Sequence, residues 1–470
     1  MASFTPLWLL PLTFLSIFGT AARDGQPSSA AFTLSAVRLK PHGSSSSGQT
    51  APFRSSLSRS AAGLRSRKGT SPPKKLRTPP QHNYTVKYTM ALIITLPIGS
   101  PPQHQRMVLD TGSQLMWMPC LNDSTKPTAS KAAPPPAVLN HTAPFSISRS
   151  KTLSFFPCKK SCKPLIFTQG VDNFCDPDNT TCKYSSFYAD GTLSEGTLVQ
   201  ENITLANSAF QSGSGTFLMG CAVGATHQEG ILGMNLGKFS FISQSQYQTF
   251  SYCVPVRQTV NGIPQNPDGA FYLGANPNSG TFNYTNLLSF RDGRTRPPDL
   301  NLLAYVVNMT GIRIGGEKLD IPMTDFVQNP YGDGQTIIDS GTEYTFLVND
   351  SYTIIEEEVR RRTGAKFKWG YLYQGVLDIC FDGSATAIGK MLGNMTFEFD
   401  DGVEIFIPGE RLAFDVVGRN VSCLGIGNSG KIDEPSNLIG NFHQQNLWVE
   451  FDLARFRVGF GKADCSRALV

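Results

Sequence analysis

From about residue 84 onward, most of the chain reads as short apolar runs rich in β-branched and aromatic side chains, punctuated by Gly, Asn and Pro. Ala91 to Leu96, Thr216 to Met219, Ala270 to Leu273 and Leu447 to Phe451 are examples. Side chains of this kind pack well on a pleated surface, so the pattern predicts an all-β chain. One stretch breaks it. Ile355 and Val359 share a helical face, Asp350 can cap the start of a helix there, and Gly364 can end it. Glu356, Glu357 and Glu358 stand four residues before Arg360, Arg361 and Arg362, which predicts three ion pairs on a solvated helix face.

Within the apolar pattern one short motif occurs twice, 229 residues apart (339 − 110). Val108-Leu109-Asp110-Thr111-Gly112-Ser113 is echoed by Ile337-Ile338-Asp339-Ser340-Gly341-Thr342. A single Asp-Ser/Thr-Gly is a common surface turn, because Asp caps its own backbone and Gly tolerates positive φ. Here an apolar pair pulls the carboxylate inward in both copies. Two buried carboxylates from duplicated halves imply a shared-proton dyad, which is acid protease chemistry.

Further echoes surround both copies. Gly230-Ile231-Leu232-Gly233 follows the first and Leu438-Ile439-Gly440 follows the second. Trp117 lies seven residues after Asp110, and Tyr188-Ala189-Asp190-Gly191 stands downstream. On these residues, from about 84 to 465, the chain resembles the pepsin-like aspartic proteases. The Cys-rich first half, Phe250-Ser251-Tyr252-Cys253 and Phe442-His443-Gln444-Gln445-Asn446-Leu447 are similar to the plant nepenthesin type. Met107 to Gln114, Tyr188 to Glu195, Gly230 to Gln244 and His443 to Asp452 resemble the plant "promotion of cell survival" type most closely.

The resemblance implies a bilobal fold, with a central cleft between two related β lobes and a few short helices. It implies an aspartic endopeptidase with Asp110 and Asp339 as the catalytic pair. Thr111, Gly112, Ser113, Ser340, Gly341 and Thr342 would support them. Ser113 and Thr342 would bond the outer carboxylate oxygens, and Thr111 and Ser340 would cross-link the two loops. Tyr188, Asp190 and Gly191 would form a flap over the substrate, with the Tyr188 hydroxyl bonded to the Trp117 indole. Carboxylates about 3 Å apart share one proton, so no metal, cofactor or covalent intermediate is required. Ile231, Ile439, Met107, Met116 and Met118 read as core, and His443 as structural. No Gly-x-Ser-x-Gly elbow marks a serine nucleophile.

Charge divides the chain. Residues 1–22 carry an apolar core, Leu7 to Phe18, followed by small residues, a signal-peptide pattern too short to span a bilayer. Residues 23–80 hold eleven Lys/Arg against Asp24 alone, a net of +10. The whole chain totals +5, so residues 81–470 total −5. The basic tracts Arg65-Ser66-Arg67-Lys68 and Lys74-Lys75-Leu76-Arg77 could suit nucleic acid, but a signal peptide argues against that. The expected organisation is a signal peptide at 1–22, a basic Ser/Pro-rich prosegment or linker at 23–82, a first lobe at 83–296 and a second at 297–470.

Ten cysteines suit an oxidising compartment and five bridges. By the resemblance the pairs are Cys380–Cys423, Cys253–Cys465, Cys158–Cys182, Cys162–Cys175 and Cys120–Cys221. A zinc site at Cys158 and Cys162 competes poorly, since no His is near. The Pro-rich stretch Thr125 to Leu139 stands where nepenthesin-type chains carry two further cysteines. Sequons occur at Asn83, Asn122, Asn140, Asn179, Asn202, Asn283, Asn308, Asn349, Asn394 and Asn420. These features predict a monomeric glycoprotein of the secretory pathway, extracellular (apoplast), in the endoplasmic reticulum or vacuolar. Its partners would be peptide or protein substrates, with no nucleic acid and no stable membrane insertion. The other reading is a catalytically silent binding protein or inhibitor on the same fold, which both aspartates and their four flanking hydroxyls oppose.

Overall fold

The computed structural model describes residues 82–468, except 89, 122–142, 159–161, 163–170, 206–213, 226–228, 261–262, 266 and 291–299. The signal peptide and basic leader, the junction near 291–299 and the sequons at Asn122 and Asn140 lie outside the described residues. What remains is built almost wholly of strands, with helices at Phe241–Ser245, Asn349–Thr363 and Ala385–Leu392.

The two motifs sit in the same four-strand arrangement, formed once in each half. In the first, Gln103–Asp110 runs parallel to Gly230–Gly233, with Asp110 opposite Gly233. That strand meets Trp117–Leu121 antiparallel at Ile231 and Trp117, and Trp117–Leu121 runs parallel to Ser214–Ala225. In the second, Thr336–Ile338 runs parallel to Asn437–Ile439. That strand meets Thr345–Leu347 antiparallel at Leu438 and Phe346, and Thr345–Leu347 runs parallel to Ile426–Asn428. Parallel pairs of this kind are covered on both faces, which explains the unbroken Val-Leu and Ile-Ile runs leading to each aspartate.

Each arrangement needs a glycine where one strand crosses the motif's own loop. A Cβ on Gly233 would stand 2.6 Å from the Gln114 carbonyl carbon, and one on Gly440 2.1 Å from Tyr344 O. Below the two motifs an antiparallel row joins the halves. Asn283–Asn286, Arg457–Lys462, Leu447–Asp452, Thr249–Cys253, Asp268–Leu273 and His82–Tyr88 follow one another. The last strands of the chain therefore pair with strands of the first half. Phe451 stacks on Phe250 at 4.8 Å and lies 4.2 Å from Tyr305, and Cys253–Cys465 clamps the same edge.

The structure also contains Cys120–Cys221 and Cys380–Cys423. The remaining four cysteines differ from expectation: the bonds are Cys158–Cys175 and Cys162–Cys182, not Cys158–Cys182 and Cys162–Cys175. The hairpin Val171–Cys175/Cys182–Phe187 places Cys175 opposite Cys182. All four sulfurs therefore gather at one spot, with Cys162 and Cys175 Sγ 3.7 Å apart. Spacing along the chain cannot choose among connectivities within such a cluster.

The long helix spans Asn349–Thr363 and ends at Gly364, φ +52°. Its cap is Val348, and Asp350 sits in the first turn instead of capping it. Arg360 pairs with Glu356 and Arg362 with Glu358. Arg361 turns to Glu358 and Glu317 rather than to Glu357, because Glu317 on the neighbouring hairpin offers a second carboxylate.

Candidate active site

Asp110 ends its strand and Asp339 follows its own, and neither has any exposed surface. Each carboxylate accepts a hydrogen bond from the backbone two residues on: Gly112 N–H to Asp110 Oδ1 at 2.8 Å, Gly341 N–H to Asp339 Oδ1 at 2.9 Å. The loops are tied to each other reciprocally. Thr111 N–H donates to Ser340 Oγ at 3.1 Å and Ser340 N–H to Thr111 Oγ1 at 2.8 Å. The same hydroxyls reach on to the opposite strand, Ser340 Oγ to Leu109 O at 2.7 Å and Thr111 Oγ1 to Ile338 O at 3.2 Å. This cross-tie brings the carboxylates into one space. A Cβ on Gly341 would lie 2.2 Å from Asp110 Oδ1, so only glycine lets the second loop approach the first carboxylate.

The outer oxygens are treated unequally. Thr342 Oγ1 donates to Asp339 Oδ2 at 2.6 Å. Ser113, at the equivalent place, faces Asp110 without reaching bonding geometry; its Oγ and Asp110 Oδ2 have no hydrogen-bond partner among the described residues. Burial pushes the Asp110 carboxyl well above the usual carboxylate range, and the Asp339 charge pushes it further. The Ser113 hydroxyl and the Gly112 and Ser113 amides pull the other way, with less effect. The two carboxyls therefore titrate as a pair that keeps one proton above the ordinary carboxylate range.

Over the first half, the hairpin of Cys182–Phe187 and Leu193–Thr204 turns at Tyr188–Thr192. Gly191, at φ +85°, makes the turn, and Asp190 Oδ1 accepts the Thr192 N–H at 2.8 Å. Tyr188 folds back into the molecule, fully buried, and its hydroxyl accepts the Trp117 indole N–H at 2.8 Å. Burial raises the Tyr188 pKa, and the charge of nearby Asp110 adds to the rise, so the hydroxyl keeps its proton.

Residues beyond the motif complete the site, and the sequence reading did not single them out. Asn441 Nδ2 donates to Ser340 O and to Met90 O, while its Oδ1 accepts Tyr88 Oη–H at 2.9 Å. Gln444 Nε2 donates to Asp339 O at 3.2 Å and to Ile439 O at 2.7 Å, and its Oε1 accepts Tyr252 Oη–H. The turn 441–445 therefore fastens the second loop to strands of the first half. Glu343, buried beside it, pairs with Arg257. The signal available was a charged residue inside an otherwise apolar stretch following the motif. His443 is buried and neutral. Burial lowers its pKa to about 3, and its Nδ1 bonds Thr345 Oγ1 at 2.7 Å. Ile231, Ile439, Met107, Met116 and Met118 are all buried in the core.

Residues 92–264 match the family described as "Xylanase inhibitor N-terminal" and 304–462 that described as "Xylanase inhibitor C-terminal". Aspartic proteinase PCS1 of Arabidopsis thaliana is 34% identical over 411 residues, covering 83% of this chain and 86% of that protein. The chain belongs to the pepsin-like aspartic protease family. Another relative, aspartic proteinase nepenthesin-1 of Nepenthes gracilis, is 27% identical over 382 residues, 79% of this chain and 78% of its own. Among solved structures, edgp aligns with a TM-score of 0.59 at 19% identity, over 82% of this chain and 95% of that one. Basic 7S globulin from soybean aligns with a TM-score of 0.57 at 17% identity, over 83% and 100%. At those identities the two structures show the bilobal β fold of the family and no more.

Proposed function

We propose that Asp110 and Asp339 act as one acid–base unit that hydrolyses peptide bonds, making the chain an aspartic-type endopeptidase. The observation that carries this is the approach of the Gly341 backbone to Asp110 Oδ1, which makes the two buried carboxylates near neighbours. A water held between them gives a proton to the ionised member as it attacks the scissile carbonyl. The protonated member donates to the carbonyl oxygen, and a proton then passes to the departing amine. Donors on each carboxylate favour its ionised form, while burial and their mutual repulsion favour a proton, so the pair shares one. Tyr188 closes over an extended peptide and excludes water from the reacting bond.

Two features oppose the reading of a silent inhibitor, despite the descriptions the family matches carry. Both aspartates are present, and the loops hold them in mutual register. A pepstatin-type inhibitor and a variant decide the matter. Acid-optimal peptide cleavage between pH 3 and 7, blocked by the inhibitor and lost in Asp110→Asn/Asp339→Asn, supports the protease. Folded protein without cleavage points to the binding role.

The wider reading follows from the sequence. A signal peptide sends the chain into the secretory pathway, ending in the apoplast, endoplasmic reticulum or vacuole. The cationic leader covers an acidic body, net −5 over residues 81–470, until maturation. Among the described residues no helix is long and apolar enough to cross a membrane. Asn83, Asn179, Asn283, Asn349, Asn394 and Asn420 are exposed and Asn202 and Asn308 half-buried, so none of these eight sequons is closed to a glycan. The protein acts as a monomer on peptide or protein substrates, in processing or degradation linked to cell survival. Glycan mapping by mass spectrometry and the secreted mass test these points.

A further inference from the structure

Four residues after each aspartate the two copies diverge: Gln114 in the first, Glu343 in the second. Gln114 is neutral and buried. Glu343 also has no exposed side-chain surface, yet it bears a carboxylate, and the Arg257 guanidinium bonds its Oε1. A buried charge is tolerated only against a countercharge, and here the countercharge comes from the opposite half, just after the strand Thr249–Cys253. Arg257 is itself held in place. Its backbone N–H donates to Gln445 Oε1 at 2.6 Å, and its guanidinium lies 5.3 Å from the Phe442 ring centre, 5.7 Å from Tyr88 and 5.9 Å from Phe414.

The loop that carries Glu343 is the one that holds Asp339. Thr342 bonds Asp339 Oδ2 with its hydroxyl, and its carbonyl accepts the Asn441 N–H at 2.8 Å. The Glu343 carbonyl accepts the Phe442 N–H at 2.8 Å. Gln445 Nε2 donates to the Phe442 carbonyl at 2.7 Å, so the turn that receives the loop also receives Arg257. Tyr344, Tyr88 and Tyr373 are the other titratable groups facing Glu343. Burial raises the pKa of all three, so they stay neutral; burial also raises that of Glu343, and Arg257, the countercharge, pulls it back.

We propose that Arg257 and Glu343 are a positioning pair: an ion pair between the halves that holds the second motif's loop where Thr342 bonds the Asp339 carboxylate. The proposal rests on the dyad reading above. It assigns Arg257 a role in turnover although it touches neither reacting carboxylate.

The test uses the full-length secreted protein and four variants: Glu343→Gln, Arg257→Met, Arg257→Lys and the double Arg257→Met/Glu343→Gln. Each is followed by kcat, KM, the pH profile and affinity for a pepstatin-type inhibitor. Removing one charge strands the other and shifts the loop, so kcat and inhibitor affinity fall about tenfold or more. KM stays within about threefold, and the acid limb of the profile moves. The double variant strands no charge and recovers most of the loss, and Arg257→Lys falls between. Wild-type kcat and pH profile in the folded single variants overturn the proposal, even if their melting temperature drops. So does a double variant no better than the singles. Should the single charge deletions fail to fold, Arg257→Lys decides: an unchanged kcat and pH profile overturns the pairing role. Wild-type protein without inhibitor-sensitive cleavage removes the dyad reading itself, which is a different result.

Discussion

The two motif loops share their backbone hydrogen bonds, their four-strand setting and a crossing glycine, and differ in the side chains set around each aspartate. In the first half Asp110 ends its strand beside Ser113, which leaves Oδ2 without a bond, and Trp117 anchors a covering hairpin through Tyr188. In the second half Thr342 bonds Asp339 Oδ2, and the place of Trp117 is taken by Phe346, which has no N–H to give. Gln114 in one half is Glu343 in the other, with its countercharge drawn from across the molecule. Duplication supplied two carboxylates. Divergence gave them different surroundings: the first half carries the covering hairpin, the second a side-chain hydroxyl bonded to its carboxylate.

Removing either carboxylate tests the symmetric part of this comparison. Asp110→Asn and Asp339→Asn should each lower kcat by about 10³-fold or more, since each removes one side of the proton exchange. Near-normal turnover in one of them would mean a single carboxylate suffices, and the shared dyad would be lost. Gly341→Ala should come next, at about 100-fold, because its methyl would displace Asp110 Oδ1 from 2.2 Å away. Circular dichroism separates this local effect from unfolding.

The asymmetric part is sharpened by the two hydroxyls. Thr342→Val removes a 2.6 Å bond to a charged oxygen and should cost about tenfold in kcat. Ser113→Ala should cost less. Its hydroxyl pulls the Asp110 pKa down, so without it that pKa rises and the alkaline limb of the pH–rate profile moves to higher pH. Equal losses from the two variants would erase the distinction between the halves.

Much of this was legible along the chain. The doubled motif, the two glycine echoes and the Trp117–Tyr188 spacing all lie in contiguous residues whose chemistry is local, and the strand runs carry their own propensity. What was not legible depends on distant partners. Glu343 reads as an ordinary acid until Arg257, 86 residues earlier, is brought against it. Asn441 and Gln444 gain their roles from Met90 and Tyr252. The Cys158 and Cys162 bonds depend on a hairpin register that spacing does not encode. Asp350 was an acceptable cap by type, but the helix begins one residue before it.

The smallest expected effect concerns stability, and it again sets the halves against each other. Asp110 has its folded pKa raised above the ordinary value of about 3.9, so its contribution is present in acid and lost as pH rises through the raised value. His443, behind the second loop, has its pKa lowered to about 3. Its contribution is present above about 6.5 and drains away as pH falls toward that depressed value. Between the two limits the groups tilt the stability curve in opposite directions. His443→Gln can keep a hydrogen bond to Thr345 without titrating, so its melting temperature should fall less than wild type's between pH 6.5 and 4, by about 2 °C or more. Asp110→Asn should do the converse, losing less than wild type as pH rises from 4 toward neutrality. Parallel pH curves for wild type and His443→Gln would mean that burial does not depress the His443 pKa and that the second half contributes no such tilt.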